Sequence, residues 1–360
     1  MQNLIIFCGG VSAEHEVSLR SARNIIAAVD KSKYKPMLVI ISRGGTWYLQ
    51  NDVSILERIT ECADPFPHGE VCTLLRKQQD TLLLTVNGTQ IKADVAFPVI
   101  HGPMGEDGTI QGLFEIMNLP YVGSGVLSSA VGMDKDYFKR IMQSANLPIA
   151  PFVTLYDKND YVDYHTVSKE LASTTMFIKP ASMGSSVGIS KVKSAETYDI
   201  AVQQAFKYCS KVLIEKFVPC REIECAVLGN SKPKTSGLAE IKPNLEFYSY
   251  EAKYIDPNGA DLIIPAVVDK NVVAKIQDLA VKAFMAIDCK GLARADFFLS
   301  ESGEVYVNEL NTMPGFTAIS MYPQLWEYAG ISYSALISNL IALAFEVHRY
   351  KQQICLTPDL

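Results

Sequence analysis

Leu4-Ile5-Ile6-Phe7-Cys8-Gly9-Gly10 stands almost at the start of the chain, an apolar run that ends on two glycines. The run is too short, and too poor in flanking basic residues, for a membrane span or a secretory signal. It reads as a buried β-strand with a glycine turn at its carboxyl end. A helical pattern follows over residues 18–30, a second apolar run over 34–41 and a third over 93–100. Strand, helix and strand in alternation predict an α/β fold with a parallel sheet covered by helices. Ligand loops in such sheets lie at the carboxyl ends of strands. Gly9-Gly10 and His101-Gly102 each stand at such an end, and Gly123-Ser124-Gly125 closes the region.

Further along, the pattern predicts a helix over 134–144, a loop punctuated by Pro148 and Pro151, and a strand over 176–179. The small-residue loop Ala181-Ser182-Met183-Gly184-Ser185-Ser186-Val187-Gly188 comes next, and a strand resumes over 189–192. Strands are also predicted over 212–217, 222–228, 291–299 and 304–310, with helices over 271–287 and 333–347. No internal repeat or low-complexity tract is visible.

At 360 residues the chain exceeds one ordinary core and suits two or three domains. Its net charge of −6 leaves no basic footprint for nucleic acid or an anionic membrane. The eight cysteines (Cys8, Cys62, Cys72, Cys209, Cys220, Cys225, Cys289 and Cys355) contain no CxxC pair and no zinc spacing. Reduced thiols in a cytoplasmic protein are therefore expected.

The carboxylates near the end carry the first chemical signal. In Val305-Tyr306-Val307-Asn308-Glu309-Leu310-Asn311, a period of two puts Val305, Val307, Glu309 and Asn311 on one face. Arg294 and Asp296 share a face in the same way. Burying two acids and an amide costs several kcal/mol unless something compensates. Mg²⁺ is a suitable compensator, hard and usually held by one or two carboxylates together with substrate phosphates. An ion pair of Arg294 with Asp296 or Glu309 accounts for the same residues equally well.

The loop over 182–188 offers many backbone N–H groups, which attract phosphate oxygens, and Lys179 just before it would add a point charge. Neither GxxxxGK[ST] nor GxGxxG occurs, so a P-loop is excluded; a plain hairpin turn is the alternative. Lys135 stands early in a helix, where a solvated surface lysine is the usual case. Glu215 ends an apolar strand that could offer backbone edges to a base, and Glu222 in the next strand could accept from ribose hydroxyls. Both also read as ordinary strand residues. Glu14, His15 and Glu16 follow the first glycine turn, where acids would repel phosphate and suit an ammonium group better. One such pair at about 4 Å is worth roughly 4 kcal/mol before desolvation. Acids stabilised by a helix N-terminus explain them too. His101 has a similarly plain reading as a loop histidine.

Taken in order along nearly the whole chain, these segments resemble the D-alanine–D-alanine ligases. The matching pieces are residues 9–18, 101–112 (HGPMGEDGTIQG), 123–135 (GSGVLSSAVGMDK), 179–188 (KPASMGSSVG), 215–217 with 221–226, 248–254 (YSYEAKY), 294–296 and 308–316 (NELNTMPGF). The resemblance implies a three-domain ATP-grasp fold. A Rossmann-like N-terminal domain with a parallel sheet would span 1–122 and bind substrate. A central subdomain with the phosphate flap would span 123–211, and a C-terminal subdomain with metal and oxyanion residues would span 212–360.

It implies that Lys135 and Lys179 hold ATP phosphates, that Glu215 and Val218 meet the adenine, and that Glu222 meets the ribose. Ser186, Lys216, Lys253 and Asn308 join the nucleotide site, and Asp296, Glu309 and Asn311 hold two Mg²⁺ or Mn²⁺ ions. Glu14 would hold the ammonium of the first D-alanine with His101 and Ser185. Ser320 and the backbone of Met321 would hold the carboxylate of the second. Arg294 and the N–H of Gly315 would form the oxyanion hole, with the flap and the 248–254 loop as lids. Tyr254 accompanies dipeptide rather than depsipeptide formation in the family. Cys220, where a Gly often stands, is a departure. A homodimer acting on small molecules in the cytoplasm, for peptidoglycan precursor synthesis, is the implied setting. The alternatives are a D-alanine–D-lactate or D-serine ligase, another ATP-grasp carboxylate–amine ligase, and a binding module without turnover.

Overall fold

The computed structural model describes residues 1–58, 69–243 and 260–355. Its first sheet contains β1 (Gln2–Gly9), β2 (Tyr34–Ile41), β3 (Trp47–Gln50), β4 (Gly69–Lys77), β5 (Asp80–Thr85), β6 (Gln90–Ala93) and β7 (Val95–Pro98), in the order β6-β5-β4-β3-β2-β1-β7. β1 runs parallel to both β2 and β7, as the apolar runs require. The other pairings are antiparallel, so the sheet is mixed rather than parallel throughout. Helices α1 (His15–Ala28), α2 (Ile55–Arg58) and α3 (Thr109–Met117) belong to this unit. α1 lays Leu19, Ala22, Ile25 and Ile26 on Leu4, Ile6 and Cys8 of β1.

Two short helices follow, α4 (Val126–Met133) and α5 (Lys135–Ser144). Asp134 caps α5 by accepting from the N–H groups of Asp136 and Tyr137. The second sheet, antiparallel throughout, holds β8 (Phe152–Leu155), β9 (Met176–Pro180), β10 (Ser190–Val192) and β11 (Val212–Lys216) in the order β10-β9-β11-β8. It is backed by α6 (Tyr164–Leu171) and α7 (Ala195–Ala205). β11 was expected in the C-terminal third; its pairing with β8 and β9 instead makes it part of the middle sheet.

The third sheet holds β12 (Cys220–Gly229), β13 (Lys234–Pro243), β14 (Ala260–Ile263), β15 (Gly291–Ser300) and β16 (Val305–Asn311), in the order β14-β13-β12-β15-β16. α8 (Lys270–Ala286) and α5 cover one face, packing Phe284, Ile276, Phe138 and Met142 on Ala295, Phe297 and Val307. On the other face Ala226, Leu228 and Leu292 join α9 (Met321–Tyr328), α10 (Tyr333–Lys351) and the first sheet's Val95 and Phe97 in one core. Burying each such large apolar side chain contributes about 1.5–3 kcal/mol. That shared core positions the first and third sheets around a common cleft. No single helix among the described residues is long and apolar enough to cross a membrane.

One local irregularity decides where the carboxylates point. Along β15 the alternation is regular: Ala293, Ala295, Phe297 and Leu299 are buried in the core, while Arg294, Asp296 and Phe298 face the cleft. On β16 Val305, Val307 and Leu310 are buried, which a strict period of two forbids. The register against β15 shifts between Asp296 and Phe297, leaving Asn308 as the extra residue of a bulge. Glu309 and Asn311 therefore do share a face, but it is the face opposite Val305 and Val307. The single-face expectation for those four residues is corrected by that one inserted residue.

Candidate active site

A cavity of about 1150 Å³ opens where loops from the three sheets meet. Every proposed site residue within the described regions lines it: Glu14 and His101 from the first unit, Lys135, Lys179, Ser185 and Ser186 from the middle, and the remainder from 215–222, 294–311 and 315–321. Lys253, Tyr254 and the rest of the 248–254 loop lie outside the described residues, as does Cys62.

At one end are the loops that follow β1 and β7. Ser12 donates to the carbonyl of His101 at 2.7 Å and accepts from the Glu14 N–H at 3.1 Å, tying the loops together. Glu14 is the residue before α1, yet its side chain makes no cap bond. Its carboxylate instead accepts the hydroxyl of Ser185 on the flap. Gly102 has φ +75, and a Cβ there would come within 2.9 Å of Glu14 Oε2, so only glycine leaves room for the acid. His101 is buried, with Nδ1 3.2 Å from the carbonyl of Met313 and 3.8 Å from Glu106 Oε1. Burial opposes a charge on His101, but Glu106 and Glu14 outweigh it and raise its pKa above the ordinary value. The result is an acidic recess suited to an ammonium group.

At the other end, Lys135 donates from Nζ to the carbonyl of Met183 at 2.7 Å, and its backbone N–H bonds to Ala181. This lysine is thus engaged with the flap rather than solvated on a surface. The flap joins β9 to β10, an antiparallel hairpin, and Ser185 and Ser186 adopt left-handed φ of 53 and 61. Two consecutive residues of that kind are costly and cluster at ligand-clamping loops. Lys179 Nζ sits 2.7 Å from Glu215 Oε1. Lys139, which the sequence pattern did not single out, places its Nζ 2.5 Å from Glu215 Oε2. Burial would raise the Glu215 carboxyl, but the two lysines outweigh it and bring its pKa down to about 2. The Glu215 carboxylate is therefore committed to lysines, which leaves only its backbone for a base. Lys179 also lies 5.6 Å and 5.9 Å from the ring centroids of Phe177 and Phe298, apolar walls absent from the sequence reading. Burial pushes the Cys220 thiol on this wall up to about 12, which makes it a poor nucleophile.

Between the two ends lies a charged floor. Asp296 and Glu309 are direct cross-strand partners, as are Arg294 and Asn311. Arg294 binds Asp296 through two bonds of 2.7 and 2.6 Å and lies 3.0 Å from Glu224 Oε1. Burial opposes the guanidinium charge; Asp296 and Glu224 outweigh it and hold the group protonated. Glu224 was missed as a strand residue whose role depends on a partner 70 positions away. Among the described residues no three His, Cys, Asp or Glu side chains cluster as a metal site. The donor set here is instead two carboxylates and the Asn311 amide, all hard oxygens on the cavity wall. That chemistry suits Mg²⁺ completed by phosphate oxygens. Beyond it, Gly315 allows Ser320 Oγ to approach, since a Cβ would meet that oxygen at 2.7 Å. Ser320 stands at the N-terminus of α9 and accepts from the Thr317 N–H at 2.9 Å.

Three α/β units around one cleft, with a glycine–serine flap above paired carboxylates, form the ATP-grasp fold of a nucleotide-using ligase. Residues 3–124 match the family described as D-ala D-ala ligase N-terminus, and residues 141–342 match D-ala D-ala ligase C-terminus. The chain is 46% identical to a D-alanine–D-alanine ligase of Shouchella clausii over 97% of its own length and 96% of the relative. Its fold is similar to the D-alanine–D-alanine ligase of Coxiella burnetii, with TM-score 0.85, 35% identity and 98% coverage of each chain. It is also similar to the VanG D-Ala:D-Ser ligase of Enterococcus faecalis, with TM-score 0.84, 33% identity, and coverage of 95% and 99%. The chain belongs to the D-alanine–D-alanine ligase family.

Proposed function

We propose that this enzyme joins two D-alanines into D-alanyl-D-alanine, consuming ATP and releasing ADP and phosphate, to supply peptidoglycan precursor synthesis. The observation that carries the reading is the meeting of an ammonium-binding recess at Glu14, a lysine-lined phosphate end and an arginine–carboxylate floor in one cavity. A carboxylate is a poor electrophile, so the first D-alanine must be activated, and a D-alanyl phosphate is the activated form that ATP makes available. Glu14, with His101 and Ser185, holds its ammonium. Lys135, Lys179 and the flap at Ser186 hold the phosphates, while the strand edge at Glu215, Lys216 and Val218 receives the base and Glu222 the ribose. Asp296, Glu309 and Asn311, with Asn308 beside them, would hold two Mg²⁺ or Mn²⁺ ions, which when bound neutralise charge on the transferring phosphoryl group.

The second D-alanine enters as a free amine, its carboxylate held by Ser320 and the backbone N–H of Met321 at the start of α9. The amine attacks the activated carbonyl carbon, and phosphate leaves with the electrons of the broken C–O bond. Arg294, oriented by Asp296 and Glu224, and the N–H of Gly315 stabilise the oxyanion formed between these events. Closing of the flap keeps water from the acyl phosphate. Division into three units, the first over 1–122 and the second carried past 211 to include β11, a homodimer and a cytoplasmic setting belong to the same reading. Incubation with ATP and a panel of D-alanine, D-serine, D-lactate and L-alanine, with product masses measured, tests it. D-Alanyl-D-alanine is the expected main product, and a predominant mixed product with D-serine or D-lactate would reassign the second substrate.

A further inference from the structure

Lys139 lies on α5, one helical turn beyond Lys135, but does not line the cavity. Its side chain is 2% exposed, and its ammonium meets the carboxylate oxygen of Glu215 that Lys179 leaves free. Glu215 itself is 1% exposed, so this is a buried row of cation, anion and cation in which Lys179 and Glu215 border the cleft and Lys139 lies behind them. Burying a third charge is costly, and a plain Lys179–Glu215 pair would bury one charge fewer. Such a pair would, however, be electrically neutral. A lysine whose charge is fully matched by a carboxylate at 2.7 Å has little field left for an anion.

The geometry points to Lys139 as a positioning residue that neutralises Glu215 from behind, so that the charge of Lys179 remains available to nucleotide phosphates. Lys139 acts through Glu215 and touches no substrate. The inference rests on the reading of Lys179 as a phosphate-binding residue, and its test separates the two. Affinities of ADP and adenosine for the full chain are measured in magnesium buffer by displacement of a fluorescent ATP analogue.

Wild type is expected to favour ADP over adenosine by at least about tenfold, with Lys179→Met losing most of that preference. Absence of the preference in wild type refutes the phosphate reading itself. Given the preference, Lys139→Met is expected to weaken ADP about tenfold and leave adenosine within about twofold. Adding Glu215→Gln to Lys139→Met removes the carboxylate that would neutralise Lys179 and is expected to restore ADP binding. An unchanged ADP-to-adenosine ratio in Lys139→Met overturns the inference. Equal weakening of both ligands, the mark of a purely structural role, does so too, as does failure of the second substitution to restore ADP. Should Lys139→Met not fold, the double variant, which buries no lone carboxylate, decides alone: loss of its ADP preference overturns the proposal.

Discussion

Asp296 on β15 and Glu309 on β16 are direct cross-strand partners, and the register shift beside them turns Glu309 out of line with Val307 and toward the cleft. Two acids side by side at the wall of a half-buried cavity repel one another unless cations stand close by. Arg294 supplies one such charge from within the sheet. Both acids line the cavity.

Glu309→Gln keeps the size and hydrogen-bonding reach of the side chain but removes its charge. It is expected to lower D-alanine-dependent phosphate release by at least about a hundredfold, with an unchanged circular-dichroism spectrum. Turnover near the wild-type rate would show that Glu309 holds no metal.

Arg294→Met removes the cation shared by Asp296 and Glu224, leaving a buried acid beside a partly buried one. Loss of about 3–5 kcal/mol in urea unfolding is expected, together with a fall of about 10²–10³ in kcat. Arg294→Lys returns the charge without the two-pronged geometry, so stability is expected to recover more than kcat.

Gly102→Ala places a methyl group against the Glu14 carboxylate in a backbone conformation that side chains disfavour. The KM for the first amino acid is expected to rise by about tenfold or more, since an ammonium–carboxylate contact of roughly 4 kcal/mol is displaced. The KM for ATP is expected to change little, which separates this effect from general unfolding.

Acid sensitivity follows from Glu215. Its folded pKa of about 2 lies below the ordinary 4.5, so its contribution to stability is complete above pH 4.5 and is lost as the pH falls toward 2. Unfolding measured across that window is expected to show a flatter acid limb in Glu215→Gln than in wild type. The variant is also expected to be less stable at neutral pH, because Lys139 loses its counter-ion.

Much of this arrangement is legible in the residues themselves, and what escapes has identifiable causes. The central strands are visible because burial on both faces leaves continuous apolar runs such as 34–41, which reappears unchanged as Tyr34–Ile41. Between Trp47 and Ala93, β3 and β6 are only four residues long, and β4 and β5 mix polar and apolar residues with one side exposed or half-buried, so no continuous apolar run marks them. Lys139 and Glu224 are ordinary charged residues of a helix and a strand. Only partners 76 and 70 positions along the chain, Glu215 and Arg294, reveal them as buried ions. The bulge at Asn308 is equally silent, because it is set by pairing with β15 rather than by composition.

The central claim is that ATP activates the carboxylate of one D-alanine in this cleft before a second attacks it. D-Alanine carrying heavy oxygen in its carboxylate tests this directly, with the released phosphate analysed by mass. Transfer of a labelled oxygen from substrate to phosphate in step with dipeptide formation is the expected result. Dipeptide formed with unlabelled phosphate would contradict the account.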